Sequence, residues 1–89
     1  MAQIQQSGTP ILLTASGALT LRAGSMIGFY VNSTSAGTIV IRNGGSAGTA
    51  VSGTITPSTG WNTFPAEFTS TLGGYATLGG TINVTFFVQ

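Results

Sequence analysis

The chain has 89 residues, of which 42% are hydrophobic and only 3% are charged, and its formal net charge is +1. This length fits one domain. The charged side chains are Arg22, Arg42 and Glu67. So few cations exclude nucleic-acid binding, which depends on many Lys and Arg contacts to phosphate, and also exclude a polybasic membrane anchor.

The chain has no Lys, Asp, His or Cys, and these missing side chains exclude most enzyme chemistry. General acid–base catalysis needs a titratable group with a partner, and Glu67 has neither a second carboxylate nor a His. The many serines lack a His base, and a metal site lacks its usual Cys, His and Asp ligands. We therefore predict a protein that is not an enzyme and that binds no metal or other cofactor.

The chain must also gain its stability without disulfides or a metal. Oligomerisation is the remaining common route for a small domain, and a net charge near zero promotes association. We therefore expect a homo-oligomer.

The amino-terminal end is polar and rich in Gln. Residues 1–9 are predicted to form a flexible arm that orders against a neighbour, or a frayed terminus, ahead of a domain at residues 10–89. Met1–Gln6 lacks the basic region of a signal peptide, and no run of about 18 apolar residues is present to span a bilayer. We expect synthesis in the cytoplasm and no membrane partner.

The first predicted strands after the arm are short. Pro10–Thr14 and Ala18–Ala23 alternate in the manner of strands on either side of a small-residue turn. This alternation places Leu12 outward and places Leu19 and Leu21 inward.

The densest apolar content lies in Ser25–Asn43. Its period of two, with β-branched and aromatic residues, predicts two strands joined by a polar turn at residues 32–37, which together form a hairpin. In this interpretation Ile27, Phe29 and Val31 point inward. Among the residues on the outward faces are three large apolar side chains, namely Met26, Tyr30 and Val40.

The remaining elements are also read from alternation and turn residues. Asn43-Gly44-Gly45 is a strong turn signal, and Ala47–Thr56 reads as a strand. The segment 61–72 is ambiguous between one turn of helix and irregular chain with a strand near Glu67–Ser70. In Thr81–Val88 the alternation turns every second residue, from Ile82 to Val88, inward and leaves Phe87 outward.

No segment has the pattern of an amphipathic helix. About seven or eight short antiparallel strands at close spacing predict an all-β, single-domain β-sandwich of jelly-roll-like type.

Several large apolar side chains remain on the faces opposite the predicted core. They are either scattered surface residues, which are normal, or parts of a subunit or partner interface. The candidate interface residues are Leu12, Met26, Tyr30, Val40, Trp61 and Phe87.

Trp61 and the few charged residues each allow more than one interpretation. Trp61 packs in the core or at its rim, anchors a protein interface, or forms a sugar-stacking platform that Tyr30 and Tyr75 extend. Glu67 is predicted to pair with Arg22 or Arg42, within the fold or across a subunit boundary.

The chain resembles a group of small phage virion proteins over roughly Met26 to Val88. The likeness rests on turn and strand segments, which are Ile27–Ser35, Gly37–Gly44, Val51–Pro57, Phe64-Pro65 and Leu78–Phe86. The resemblance implies a structural component of a virion. It favours a capsid decoration (cement) protein on the capsid surface, a trimer that lies where units of the major capsid protein meet.

The sequence thus leaves three hypotheses about function. The first is the decoration protein, which would bury apolar and hydroxyl-rich surface and add its arm to a partner's sheet as a strand. The second is a fibre or receptor-binding tip module of a phage, which would bind surface glycan through Trp61 and Tyr75. The third is a self-assembling secreted β protein, against which the missing signal peptide argues.

Overall fold

The computed structural model describes residues 9–89. Within them it contains strands and no helix. The strands, which form one antiparallel sheet of six, are β1 (Thr9–Leu13), β2 (Gly17–Ala18), β3 (Gly24–Asn43), β4 (Thr49–Ala50), β5 (Gly60–Phe68) and β6 (Gly74–Val88). The all-β class of a small single domain is confirmed. Residues 1–8 of the predicted arm lie outside the described residues, and Thr9 belongs to β1.

The long strands β3 and β6 pair with each other from Met26 opposite Val88 to Asn43 opposite Gly74. Their outer neighbours change along the way. β5 lies beside the first part of β3 and β1 beside the last part of β6, and we call this region the Trp61 half. β4 lies beside the end of β3 and β2 beside the start of β6, and we call this region the Arg42 half.

A kink in both long strands separates the two halves. The register between β3 and β6 shifts between Ser35 and Thr38, and Ala36 there has a φ of 56°. Across from it, Gly80 has a φ of 66°, and a Cβ at Gly80 would clash with the Ala36 carbonyl oxygen. Only glycine fits such a close approach at positive φ.

The hairpin turn predicted at residues 32–37 is therefore wrong. The chain continues through this segment as one kinked strand, because β6 supplies a partner on both sides of the kink. Two predicted strands thus merge into β3, which is one reason why the described sheet has six strands rather than the seven or eight predicted.

The core is one cluster that draws on both halves of the sheet. The alternation predicted for the end of the chain is confirmed, since Ile82, Val84, Phe86 and Val88 are buried. The rings of Phe29 and Phe86 lie 5.5 Å apart at its centre. The other buried apolar residues are Leu19, Met26, Val31, Ile39, Ile41, Phe68 and Ala76.

Met26 is a correction to the predicted faces. It was expected to point outward, but it is 2% exposed and belongs to the core. The register of β3 shifts between Met26 and Gly28, so an extra residue is inserted and the side chains exchange faces there. Ile27, predicted to point inward, is accordingly only half-buried.

The predicted strand Ala18–Ala23 is also wrong, because β2 ends at Ala18 and irregular chain follows. Leu19 still enters the core, but Leu21, which was expected to share its face, is 86% exposed.

The segments after β3 differ from prediction in extent. The predicted strand Ala47–Thr56 is reduced to β4 and an isolated bridge between Ile39 and Ile55. The ambiguous segment 61–72 contains no helical turn. β5 occupies it as far as Phe68, so it includes the first two residues of the strand predicted near Glu67–Ser70, and residues 69–72 form a loop.

Candidate functional site

No cavity or cleft of ligand size opens in residues 9–89. The same residues hold no group of three acidic, His or Cys side chains that would suit a metal ion. They also include no helix of the length and apolar character needed to cross a bilayer. Any site in this part of the chain therefore lies on its open surface.

All but one of the large hydrophobic side chains that are exposed in the described chain fall into two sets. Leu12, Tyr30 and Trp61 lie on the Trp61 half, on the face opposite the core. The second set consists of Leu21 and Leu72, in loops near the end of β3 and the start of β6, whereas Val51 is separate, with its N–H donating to the Ile41 carbonyl of β3.

The first set forms a row across four strands. Leu12 of β1 is opposite Thr85 of β6, Thr85 is opposite Tyr30 of β3, and Tyr30 is opposite Trp61 of β5. In the next row along the strands, Gly28 lies beside Phe87. We call the outer surface of the Trp61 half around Tyr30 and Trp61 the aromatic face.

Contacts on three sides hold Trp61 on this face. A Cβ at Gly28 would come within 2.9 Å of the indole ring, so the ring lies over the bare backbone of β3. The ring reaches Phe87, with centroids 5.6 Å apart in an edge-on arrangement. Its Nε1–H donates to the Thr63 hydroxyl at 2.8 Å. Trp61 is still 48% exposed, and because its N–H is already bonded, the accessible part of its ring is apolar.

Amide and hydroxyl groups border the aromatic face. Asn32 follows Tyr30 by two residues, and its Nδ2 donates to Asn83 Oδ1 at 2.9 Å and to Thr85 Oγ1 at 3.1 Å. These bonds use both N–H groups of Asn32. The Oδ1 of Asn32 and the Nδ2 of Asn83 have no bond within the described chain. The face therefore offers one free acceptor and one free amide donor beside its aromatic rings.

The second set of exposed hydrophobic residues lies where β3 ends and β6 begins. Three loops meet there, at residues 19–23, 44–48 and 69–73, and we call this surface the loop end. Leu21 is 86% exposed and Leu72 is 66% exposed.

Hydrogen bonds fix the loop end in place. The Leu19 N–H donates to the Gly74 carbonyl at 2.9 Å, and the Gly44 N–H donates to the Gly73 carbonyl at 2.8 Å. The Gly74 N–H donates to the Thr20 hydroxyl at 2.8 Å. The two exposed leucines are thus mounted on loops that are tied to one another.

The structure brings together four of the six predicted interface residues, which are Leu12, Tyr30, Trp61 and Phe87. Met26 lies in the core instead. Val40 is half-buried in the Arg42 half, opposite Thr77.

Trp61 and Tyr75 are not neighbours. Tyr75 is opposite Arg42 and Ala18 in the Arg42 half, whereas Trp61 is opposite Tyr30 in the other half. The residue beside Trp61 is Tyr30, so a stacking platform made of Trp61 and Tyr75 is not formed.

Arg42 makes polar contacts other than the predicted ion pair. Its Nε donates to the Thr77 hydroxyl at 2.9 Å, and its guanidinium also donates to the Gly48 carbonyl at 3.1 Å. Within residues 9–89 Glu67 forms no ion pair with Arg42 or with Arg22, and both Glu67 and Arg22 are exposed. A pair across a subunit boundary stays a prediction.

Two features of these surfaces were not predicted from the sequence. One is the packing of the Trp61 indole against the backbone at Gly28, although a glycine inside a strand pattern is a known sign that another group closely approaches the backbone. The other is the loop end, for which there was no sequence signal, because alternation with Leu19 placed Leu21 in the core.

Comparison of the chain with protein-family models, with curated proteins and with solved structures gave no match.

Proposed function

We propose that this protein is a non-enzymatic structural component of a phage virion, and specifically a capsid decoration (cement) protein. It would be made in the host cytoplasm, assemble as a homotrimer on the capsid surface, and stabilise contacts between major capsid subunits. The segments from Ile27 to Phe86 that resemble small virion proteins support the virion assignment.

The observation that best supports a cementing role is the loop end. Leu21 and Leu72 are the two most exposed large hydrophobic residues of the described chain, yet their loops are held by hydrogen bonds. Apolar side chains presented on a fixed frame lose little conformational freedom when a partner covers them, so more of the burial energy is kept on binding. We propose that the loop end contacts a neighbouring subunit of the major capsid protein.

We also infer that the two halves of the kinked sheet face each other across the core, as the two layers of a small β-sandwich do. Phe68 of the Trp61 half supports this arrangement, since its ring fills the space beside Gly74 in the Arg42 half.

Binding to capsids that lack the protein tests the proposal. The double variant Leu21→Ser and Leu72→Ser is expected to lose attachment, because it removes the apolar side chains of the loop end. Leu12→Ser is the matched control, since Leu12 is 61% exposed but lies on the other half. The proposal fails if the double variant attaches as well as the control.

The mass of the purified protein, measured by light scattering, tests the assembly state. A trimer is expected, and a well-folded monomer would contradict the hypothesis that the chain needs self-association for its stability.

The second candidate is the fibre or receptor-binding tip module that binds glycan. The observation in its favour is the exposure of Trp61 and Tyr30 side by side. In its original form, with Tyr75 as the second ring, it is not supported by the placement of these residues.

A further inference from the structure

We propose that the aromatic face is a binding site for a neutral saccharide. Trp61 and Tyr30 would provide the stacking surface, and Asn32 and Asn83 would bond the hydroxyl groups. This inference does not depend on capsid attachment, because the loop end, at residues 19–23, 44–48 and 69–73, shares no residue with the aromatic face.

The rings of the aromatic face suit a flat ligand with apolar and polar sides. Pyranose rings carry C–H groups on their faces and hydroxyl groups around their edges, so their faces pack on exposed aromatic rings. Trp61 is 48% exposed and Tyr30 is 46% exposed, and the two are cross-strand neighbours. Gly28, Phe87 and Thr63 hold the indole before any ligand arrives, so little ordering of this side chain is needed on binding.

The amides lie beside the rings. The register between β3 and β6 shifts between Val31 and Ser33, so Asn32 is an inserted residue, and strand spacing does not fix its position. Its bond to Thr85, the cross-strand partner of Tyr30, places its amide on the aromatic face. A sugar stacked on Tyr30 therefore presents its edge to the free Oδ1 of Asn32 and the free Nδ2 of Asn83.

The electrostatics of the face select a neutral ligand. Of the chain's charged residues, Arg42 is bonded to Thr77 and Gly48 in the other half. Glu67 is opposite Ser25, several residues along β5 from Trp61. Arg22 lies in the loop at residues 19–23, and the strand segments that form the aromatic face carry no Arg or Lys. Within the described residues no cation is therefore placed to bind the carboxylate or sulfate of an acidic glycan, and the amides and hydroxyls bond sugar hydroxyls without needing charge.

The size of the aromatic face argues against a second copy of the chain as its occupant. Four strands about 4.8 Å apart and about five residues of about 3.3 Å each give an area of about 300 Å². A stable protein interface buries about 800 Å² on each partner. The edges of this half also disfavour extension of the sheet, because Pro10 and Pro65 occupy the outermost strands β1 and β5. The area matches an oligosaccharide of two or three units.

The test is a glycan array with the full chain, followed by titration of the best neutral oligosaccharide with indole N–H and side-chain amide NMR signals as readout. Trp61→Ala and Asn83→Ala are each expected to weaken binding about ten-fold. Tyr75→Ala, an aromatic control in the other half, is expected to leave binding unchanged, as is the Leu21→Ser, Leu72→Ser double variant. Circular dichroism confirms that each variant is folded.

Three outcomes overturn the proposal. The first is that the wild-type chain binds no neutral glycan, or binds only acidic ones. The second is that Tyr75→Ala weakens binding as much as Trp61→Ala does. The third is that Trp61→Ala lowers the mass in solution without affecting glycan binding, which would make the aromatic face a contact between subunits. A wild-type chain that binds neutral glycan but does not attach to capsids would contradict only the decoration role.

Discussion

Replacing Gly28 with Ala tests how the fold supports the aromatic face. The new Cβ would lie 2.5 Å from the Asn62 carbonyl oxygen and 2.9 Å from the Trp61 ring. The backbone of β5 and the indole must both move. Gly28→Ala is therefore expected to displace the Trp61 indole from its position over the backbone of β3 and to break its contact with Phe87.

The loss in free energy of unfolding can be estimated from these contacts. Overpacking of this kind costs about 1–3 kcal/mol. Loss of an aromatic pair such as Trp61 and Phe87 adds about 0.5–1.5 kcal/mol. A Gly to Ala change also reduces the entropy of the unfolded chain, and this effect stabilises the protein by about 0.4–1 kcal/mol. The free energy of unfolding should therefore fall by about 0.5–4 kcal/mol, with a central value of about 2 kcal/mol.

Urea unfolding followed by fluorescence measures this change, because the chain has one Trp, which lies at the site. Gly53→Ala is the matched control, since a Cβ at Gly53 meets nothing within 4 Å. The control should equal or slightly exceed the wild type in stability. If Gly28→Ala unfolds at the same urea concentration as Gly53→Ala, with an unchanged emission maximum, the indole does not rest on Gly28 as described.

Two further substitutions test the core and the Arg42 half. Phe86→Ala should cost about 3–5 kcal/mol of unfolding free energy, because the ring is fully buried; an equal cost for the half-buried neighbour Phe87→Ala would contradict the assigned faces. Arg42→Met should cost about 1–3 kcal/mol by thermal or urea denaturation, because it leaves the Thr77 hydroxyl and a backbone carbonyl without their donor. Arg22 is exposed and makes no such bonds within residues 9–89, so Arg22→Met should change the free energy of unfolding by less than about 0.5 kcal/mol. If Arg42→Met and Arg22→Met lose the same stability, the bonds of Arg42 do not stabilise the fold.

Period-two alternation was a good guide wherever a strand stays in register with its partners. From Ile82 to Val88 each residue predicted inward is buried, and Phe87 is on the outer face as predicted. The same regularity placed Leu12 and Tyr30 outward correctly, so most of the aromatic face was predictable as a set of exposed residues.

Alternation failed where the register shifts. The bulge beside Gly28 moves Met26 into the core, and the kink at Ala36 lets β3 continue through a segment with the composition of a turn. Both depend on how β6 pairs with β3, which is a contact between distant parts of the chain. A local pattern does not contain that information.

The assembly of the candidate sites was less predictable than their members. Trp61 and Tyr30 are far apart in sequence, and only the pairing of β5 with β3 makes them neighbours. Leu21 and Leu72 likewise lie at the same end of the sheet, in loops with no periodic pattern. The sequence identified residue types with a capacity for contact, whereas the sheet topology decided which of them lie together.

The position of β6 in the sheet also constrains how the chain is made. β1, β2 and β3 all pair with β6, although β6 is the last strand along the sequence. These three strands leave the ribosome without their main partner, and none of these pairings forms until β6 has been synthesised. Pairings so distant in sequence close large loops and make folding slow. During synthesis the unpaired strands expose apolar side chains to aggregation, so this sheet closes only after β6 has left the ribosome.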